Sequence, residues 1–201
     1  MKVAIIGAGF AGLSTAKVFQ SFGHQVSVFE KEADVGGVWS ASRRYPGLTT
    51  QNVRDTYALS DYPYPADYPE WPSGEQVQRY LASYASHFKL NSLIELNTEV
   101  LDAQLDEQQL SWQVKTRSNG QEQTHPFDYL VVCNGIFSQP AVPHYQGEEE
   151  FLAAGGRICH TSQLTDLDSV SNKHVLVVGY GKSSCDVAQA VCEKAASTRV
   201  V

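Results

Sequence analysis

Val3-Ala4-Ile5-Ile6-Gly7-Ala8-Gly9-Phe10-Ala11-Gly12 follows directly on Met1-Lys2 and decides how the rest of the chain is read. Val3 to Ile6 is an apolar run of strand length. Gly7, Gly9 and Gly12 then stand in G-x-G-x-x-G spacing, and Leu13, Ala16, Phe19 and Phe22 recur at helical intervals. Gly23-His24 stops the helix, and Gln25 to Phe29 is a second strand that ends at Glu30. The result is a strand-helix-strand unit with a glycine loop at its first turn.

That arrangement suits a diphosphate. The first turn of a helix carries unpaired backbone N–H groups and a partial positive charge, and an anion needs to reach them without side chains in the way. Gly7 permits the tight turn, Gly9 admits the phosphates, and Gly12 allows the helix to pack close to the strand, with Phe10 and Ala11 between them. Glu30 lies 18 residues beyond Gly12, where a carboxylate can accept hydrogen bonds from a ribose. Gly36-Gly37 follow soon after and suggest a second phosphate or flavin contact. The expected ligand of this first site is FAD.

The pattern then returns. Val175 to Ala188 lines up with Val3 to Ala16 without a gap, and Gly179-Tyr180-Gly181-Lys182-Ser183-Ser184 takes the place of the glycine loop. Ser184 replaces the third glycine but is still small. Lys182 either neutralises phosphate charge or is simply solvated. A nicotinamide dinucleotide is expected here, and the residues that choose NADPH over NADH normally follow the next strand, which Arg199-Val200-Val201 opens.

Between the two loops, residues 31–72 show little periodicity. Tyr57, Tyr62, Tyr64, Tyr68 and Trp71 interleave with Pro63, Pro65, Pro69 and Pro72, which forbids a helix there. The stretch reads equally as a rigid loop pinned by aromatic packing and as cofactor lining. Ser73-x-x-Gln76 is a capping box, and Val77, Tyr80, Leu81, Tyr84 and Phe88 form the apolar face of the helix behind it. Short strands are expected from Ser92 to Thr124, with turns at Asp106-Glu107 and Asn119-Gly120. Asp128 to Cys133 reads as a buried strand closed by Asn134-Gly135, His174 to Val178 as another, and residues 136–172 as a crossover.

The fold class expected is α/β: a Rossmann-like FAD-binding domain over residues 1–150, of three-layer ββα architecture with a small antiparallel β-meander. Residues 151–201 supply the crossover and an incomplete start to a second Rossmann-like domain, for a nicotinamide dinucleotide. The chain has 201 residues, 42% hydrophobic and 18% charged, which favours a packed globular protein. Its net charge of −7 argues against nucleic acid and anionic membranes as partners. No apolar run approaches the roughly 18 residues of a spanning helix, and Met1-Lys2 leave no room for a signal peptide, so a cytoplasmic address is expected. Cys133, Cys159, Cys185 and Cys192 contain no Cys-x-x-Cys pair, no metal site is written, and all four read as small, mostly buried hydrophobes.

Taken together, these residues resemble the flavin-containing monooxygenases, the N- and S-oxygenating branch of the class B flavoprotein monooxygenases. The likeness rests on the first glycine loop and on Phe29-Glu30-Lys31 followed by Val35-Gly36-Gly37-Val38-Trp39. It also rests on Thr50-Gln51-Asn52-Val53-Arg54-Asp55 leading to Ser60-Asp61-Tyr62-Pro63-Tyr64-Pro65, and on Val132-Cys133-Asn134-Gly135 with Gln139-Pro140 and Val142-Pro143. Val177 to Ala188 is similar to the family's NADPH loop. The resemblance implies FAD and NADPH as cofactors, held by Gly7, Gly9, Phe10, Ala11, Gly12, Glu30, Lys31, Gly37, Val38, Trp39 and Gly135 on one side. Gly179, Gly181, Lys182, Ser183 and Ser184 serve on the other. Gln51 or Asn52 would hydrogen-bond near the flavin, in the place where many members put an asparagine.

The chain departs from the family signature F-x-G-x-x-x-H. Gly156 to His160 is intact, but Ala154 stands where phenylalanine belongs, Phe151 lies three residues earlier, and Leu164 occupies the later aromatic position. The implied reaction is NADPH-driven oxygenation of a soft nucleophile, an amine or sulfide, by O₂ through a peroxyflavin. Partners are then a small-molecule substrate and O₂, with a homodimer left open and the remainder of the polypeptide expected. An NAD(P)H oxidase, a Baeyer–Villiger oxygenase, or a truncated non-catalytic module on the same scaffold are the alternatives. A flavin disulfide reductase would need a cysteine pair, and residues 31–132 have none.

Overall fold

A computed structural model of the chain describes residues 1–137 and 139–201. The first strand, β1 (Lys2–Ile6), pairs in parallel with β2 (Gln25–Phe29), Val3 opposite Val26 and Ile5 opposite Val28, and α1 (Phe10–Ser21) joins them. Strand side chains alternate between faces. Val3 and Ile5 face α1 and the helix α2 (Gly74–His87), packing with Leu13, Ala16, Val77, Tyr80, Leu81 and Tyr84. Ala4 and Phe29 face the other way, against Val114 and Phe127. Each large apolar side chain so buried contributes about 1.5–3 kcal/mol.

Helix α2 starts where its capping box is written. The Ser73 hydroxyl accepts from the Gln76 N–H at 3.2 Å, and the Gln76 side chain accepts from the Ser73 N–H at 2.9 Å. A two-residue strand, β3 (Ile94–Glu95), extends the parallel sheet beyond β2. The antiparallel meander follows as β4 (Thr98–Asp106), β5 (Ser111–Ser118) and β6 (Gln121–Phe127). Asn119 and Gly120 turn the second hairpin with φ of 51° and 75°, the positive values that a two-residue hairpin turn requires. The strands are nine, eight and seven residues long rather than short. Pro126 fails to break β6 because that strand is at the edge of the meander, with its outer side free of ladder bonds.

Strand β7 (Tyr129–Val132) returns beside β1 and completes a sheet of order β3-β2-β1-β7. Helices, parallel sheet and meander make the expected three-layer ββα arrangement. β7 corrects the expectation of a buried strand: Tyr129 is half exposed and Val132 more so, because β7 is an edge. An apolar run announces a strand but not its place in the sheet.

A short helix, α3 (Glu148–Ala153), precedes the second parallel unit, β8 (His174–Val177), α4 (Lys182–Val191) and β9 (Ser197–Val200). Val177, Val187, Val191 and Leu164 form its core. β8 also departs from the expected buried strand, since Leu176 is 59% exposed on the face away from α4. The cysteines depart too: Cys133 is half-buried, whereas Cys159, Cys185 and Cys192 are exposed, the first in a loop and the others on the outer side and C-terminal end of α4. Among the described residues, no helix is long and apolar enough to cross a membrane.

Candidate dinucleotide-binding site

Both glycine loops lie at the C-terminal end of a parallel strand and open a helix. In the first, the Gly7 N–H donates to the Phe29 carbonyl at 2.8 Å, with φ at +99°. A Cβ on Gly7 would stand 2.6 Å from the Cys133 carbonyl oxygen, and one on Gly12 only 1.8 Å from the Gly7 oxygen. These two glycines are demanded by packing. Gly9 is different. Its φ is an ordinary −85°, and a Cβ there would meet Gly37 Cα at a comfortable 3.6 Å. Its missing side chain leaves the backbone at the start of α1 bare beside Gly37.

Helix geometry gives the N–H groups of Phe10, Ala11 and Gly12 no intrahelical acceptor. Unlike α2, helix α1 has no side-chain cap and no acidic residue in its first turn. The donors therefore face whatever enters beside Gly9. Gly36 and Gly37 sit close by: the Gly36 N–H donates to the Ala8 carbonyl at 3.0 Å. The 3₁₀ turn Gly37–Trp39 buries Trp39 against Tyr57, whose ring meets Phe10 edge-on at 5.2 Å, while Val38 is exposed.

Glu30 is buried at the end of β2. One carboxylate oxygen accepts the Ala8 N–H at 2.7 Å and the other the Glu32 N–H at 3.0 Å. Each oxygen keeps capacity for a second donor. Lys31 is exposed and, with Glu32, Asn97, Glu99 and Arg117, lines an open cavity of about 450 Å³. Gly135 is exposed beyond β7, with φ at +72° and room for a Cβ.

The second loop is more open. The Gly179 N–H donates to the Val201 carbonyl at 2.7 Å, with φ at +110°, and a Cβ on Gly181 would meet nothing within 4 Å. Ser184 stands where Gly12 does in the first loop, its Oγ 3.2 Å from the place of a Gly179 Cβ, while Ser183 is part-buried beside it. Helix α4 again lacks a side-chain cap and an acidic first turn. Lys182 is neither solvated nor free: its ammonium donates to the Thr49 hydroxyl at 3.1 Å and to the Asp186 carboxylate.

Gln51 and Asn52 are exposed, on a backbone fixed by Thr50, whose N–H donates to Pro72 O at 3.0 Å and whose hydroxyl donates to Asn52 O at 2.8 Å. The tyrosine-proline stretch is pinned to α2: Tyr64 stacks on Tyr80 at 3.8 Å, and Tyr62 packs on Tyr80, Tyr84 and Phe88. Tyr57 reaches the first loop through Phe10. Burial pushes the Tyr57 phenol and the Cys133 thiol up, so both stay neutral and neither is an activated base or nucleophile.

At the altered signature, the ring of Phe151 lies against Gly156. Helix α3 ends with the Gly155 N–H donating to Leu152 O and the Gly156 N–H to Phe151 O, at 3.0 and 2.9 Å, around Gly155 at φ +85°. This left-handed cap lays the Phe151 ring on Gly156, where a Cβ would meet it at 2.4 Å. His160 Nδ1 accepts the Ser162 N–H at 3.2 Å and caps the turn Thr161–Gln163, and Leu164 is buried among Val177, Val187 and Val191. Sequence reasoning missed Tyr45, Thr49 and Asp186 as neighbours of the second loop. Asp186 at four residues from Lys182 was the one local signal.

Residues 1–201 match the model of one family, described as flavin-binding monooxygenase-like. Flavin-containing monooxygenase 2 from Homo sapiens is 32% identical over 208 residues, covering 97% of this chain and 38% of its own length. The structure of S-allyl-L-cysteine S-oxygenase from Allium sativum superposes with a TM-score of 0.84 at 26% identity, over 99% of this chain and 50% of that one. An oxidized steroid monooxygenase bound to NADP superposes with a TM-score of 0.81 at 31% identity, over 100% of this chain and 38% of that one. The chain thus spans two fifths to half the length of the proteins it matches.

Proposed function

The chain belongs to the flavin-binding monooxygenase-like family, and on that premise we propose that it holds FAD at Gly7–Gly12 and NADPH at Gly179–Ser184. The whole protein then oxygenates soft nucleophiles, amines or sulfides, with O₂ as co-substrate. One observation carries the reading. Two helices open uncapped behind glycine loops, and at Gly9 and Gly181 the absent side chain serves no packing need. Residues 1–150 act as the FAD-binding domain and 151–201 as the start of the nicotinamide unit, in a cytoplasmic protein acting on a small molecule.

Under this reading FAD supplies the electron transfer from nicotinamide to O₂, and the protein binds and orients. The N–H groups of Phe10, Ala11 and Gly12 take the diphosphate of FAD, and Glu30 takes ribose hydroxyls on its spare lone pairs. Gly37, Val38 and Trp39 wall the first loop. Gln51 and Asn52 present amides on a backbone locked by Thr50, and Gly181, Ser183 and Ser184 offer donors to the second dinucleotide. No residue is required as an acid–base pair.

The names of two similar proteins, an S-allyl-L-cysteine S-oxygenase and an N-oxide-forming dimethylaniline monooxygenase, support sulfides and amines as the acceptors. The test is NADPH-dependent O₂ uptake by the FAD-loaded protein with a tertiary amine or a thioether, read together with product. N-oxide or sulfoxide in proportion to NADPH consumed supports the proposal. Hydrogen peroxide alone with every substrate replaces it with an NAD(P)H oxidase.

A further inference from the structure

We propose that Lys182 is a positioning residue that couples the two dinucleotide sites, by tying the opening of α4 to the segment that presents Gln51 and Asn52. The inference rests on the proposed binding of FAD and NADPH at the two loops.

Lys182 is the first residue of α4, where a positive charge opposes the helix dipole. Its side chain is nonetheless only 27% exposed, and the Asp186 carboxylate beside it 13%. The ammonium is satisfied in two directions: Asp186, one turn along its own helix, and Thr49 Oγ1 at 3.1 Å, from 133 residues away in the chain. A helix pair alone would keep an exposed lysine. The contact to Thr49 gives the part-buried position its purpose.

Thr49 does not stand alone. The Tyr45 hydroxyl donates to Asp186 at 3.3 Å, and Gly47, at φ +82°, comes so near that a Cβ there would lie 3.0 Å from the Asp186 carbonyl oxygen. Residues 45–49 thus grip one turn of α4 at three points. The same segment is clasped on its other side to the start of α2: the Gly74 N–H donates to Leu48 O at 2.8 Å, Thr49 bridges Ser73, and the Thr50 N–H donates to Pro72 O. Gln51 and Asn52 follow directly. A segment held at both ends transmits order. A dinucleotide that fixes the opening of α4 fixes Lys182, and through Thr49 it removes part of the ordering cost that FAD meets at Gln51 and Asn52. By linkage the effect runs equally in both directions.

The experiment measures the FAD dissociation constant by flavin fluorescence, with and without saturating NADP⁺, in the unaltered protein and in Lys182→Met, Lys182→Arg and Thr49→Val. Unfolding midpoints are recorded for each. NADP⁺ is expected to tighten FAD by about five- to tenfold in the unaltered protein. In Lys182→Met and Thr49→Val that ratio falls toward one, and Lys182→Arg restores part of it. A loss of structure alone would weaken both constants and leave their ratio standing. If Lys182→Met fails to fold, Thr49→Val carries the same test. Ratios equal to the unaltered protein's in both variants overturn the inference while leaving the proposed function intact, as does a ratio of one in the unaltered protein. Failure of the unaltered protein to bind FAD at all overturns the proposed function, and this inference with it.

Discussion

The carboxylate of Glu30 accepts the backbone N–H of Ala8 at 2.7 Å, buried beneath the first glycine loop. The acidic residue that the sequence assigns to a ribose therefore also braces the loop. Removing it leaves a buried donor unpaired, at a cost of about 1–3 kcal/mol. Glu30→Ala is expected to lower stability by that amount in denaturant unfolding and to weaken FAD as well. Unchanged stability would show that the bond to Ala8 is dispensable.

The two loops differ at their third position. Gly12→Ala drives a Cβ to 1.8 Å from the Gly7 oxygen, a backbone atom that cannot step aside, so the variant is expected to misfold or lose several kcal/mol. Ser184→Ala, at the matching place in the open loop, is expected to stay within about 0.5 kcal/mol of the unaltered protein. Expression and unfolding midpoints of the pair check this.

The tyrosines around α2 predict alkaline behaviour. Burial, and behind it the charges of Asp61 and Tyr80, push the Tyr84 phenol from 10.0 up to about 12, and burial raises Tyr64 as well. Above pH 10 the unfolded chain loses these protons while the folded chain keeps them. Stability is complete below pH 10 and falls as pH climbs toward 12, by about 1.4 kcal/mol per pH unit for each such group. Tyrosinate absorbance should show phenols that ionise only with unfolding, and Tyr84→Phe should flatten the slope. A native protein whose tyrosines all titrate near 10 would contradict it.

The ring of Phe151 lies on Gly156, and Phe151→Ala is expected to cost about 1 kcal/mol, with no defect in FAD binding, because the contact belongs to the cap of α3. A larger loss confined to nicotinamide binding would instead give Phe151 a direct role at the second loop.

The strand-loop-helix-strand unit from Lys2 to Phe29 was legible because periodicity, glycine spacing and Glu30 all agree locally. The capping box at Ser73 and the hairpin at Asn119-Gly120 were legible for the same reason. Strands β7 and β8 were misjudged, since Val131-Val132 and Leu176-Val177 are equally apolar whether a strand is central or marginal. The contact of Lys182 with Thr49 spans 133 residues, and no local pattern announces such a pair. Phe151 lay in view but off register, and only the left-handed turn at Gly155 brings it back over Gly156.

The most direct test of the account is titration of Gly9→Ala and Gly181→Ala with FAD and with NADP⁺. A Cβ fits at both positions without strain, so both variants should fold with unchanged midpoints. Gly9→Ala is predicted to lose FAD affinity by about tenfold or more while keeping NADP⁺, and Gly181→Ala the reverse. Full FAD binding by Gly9→Ala, or FAD lost from Gly181→Ala while NADP⁺ is retained, would contradict it.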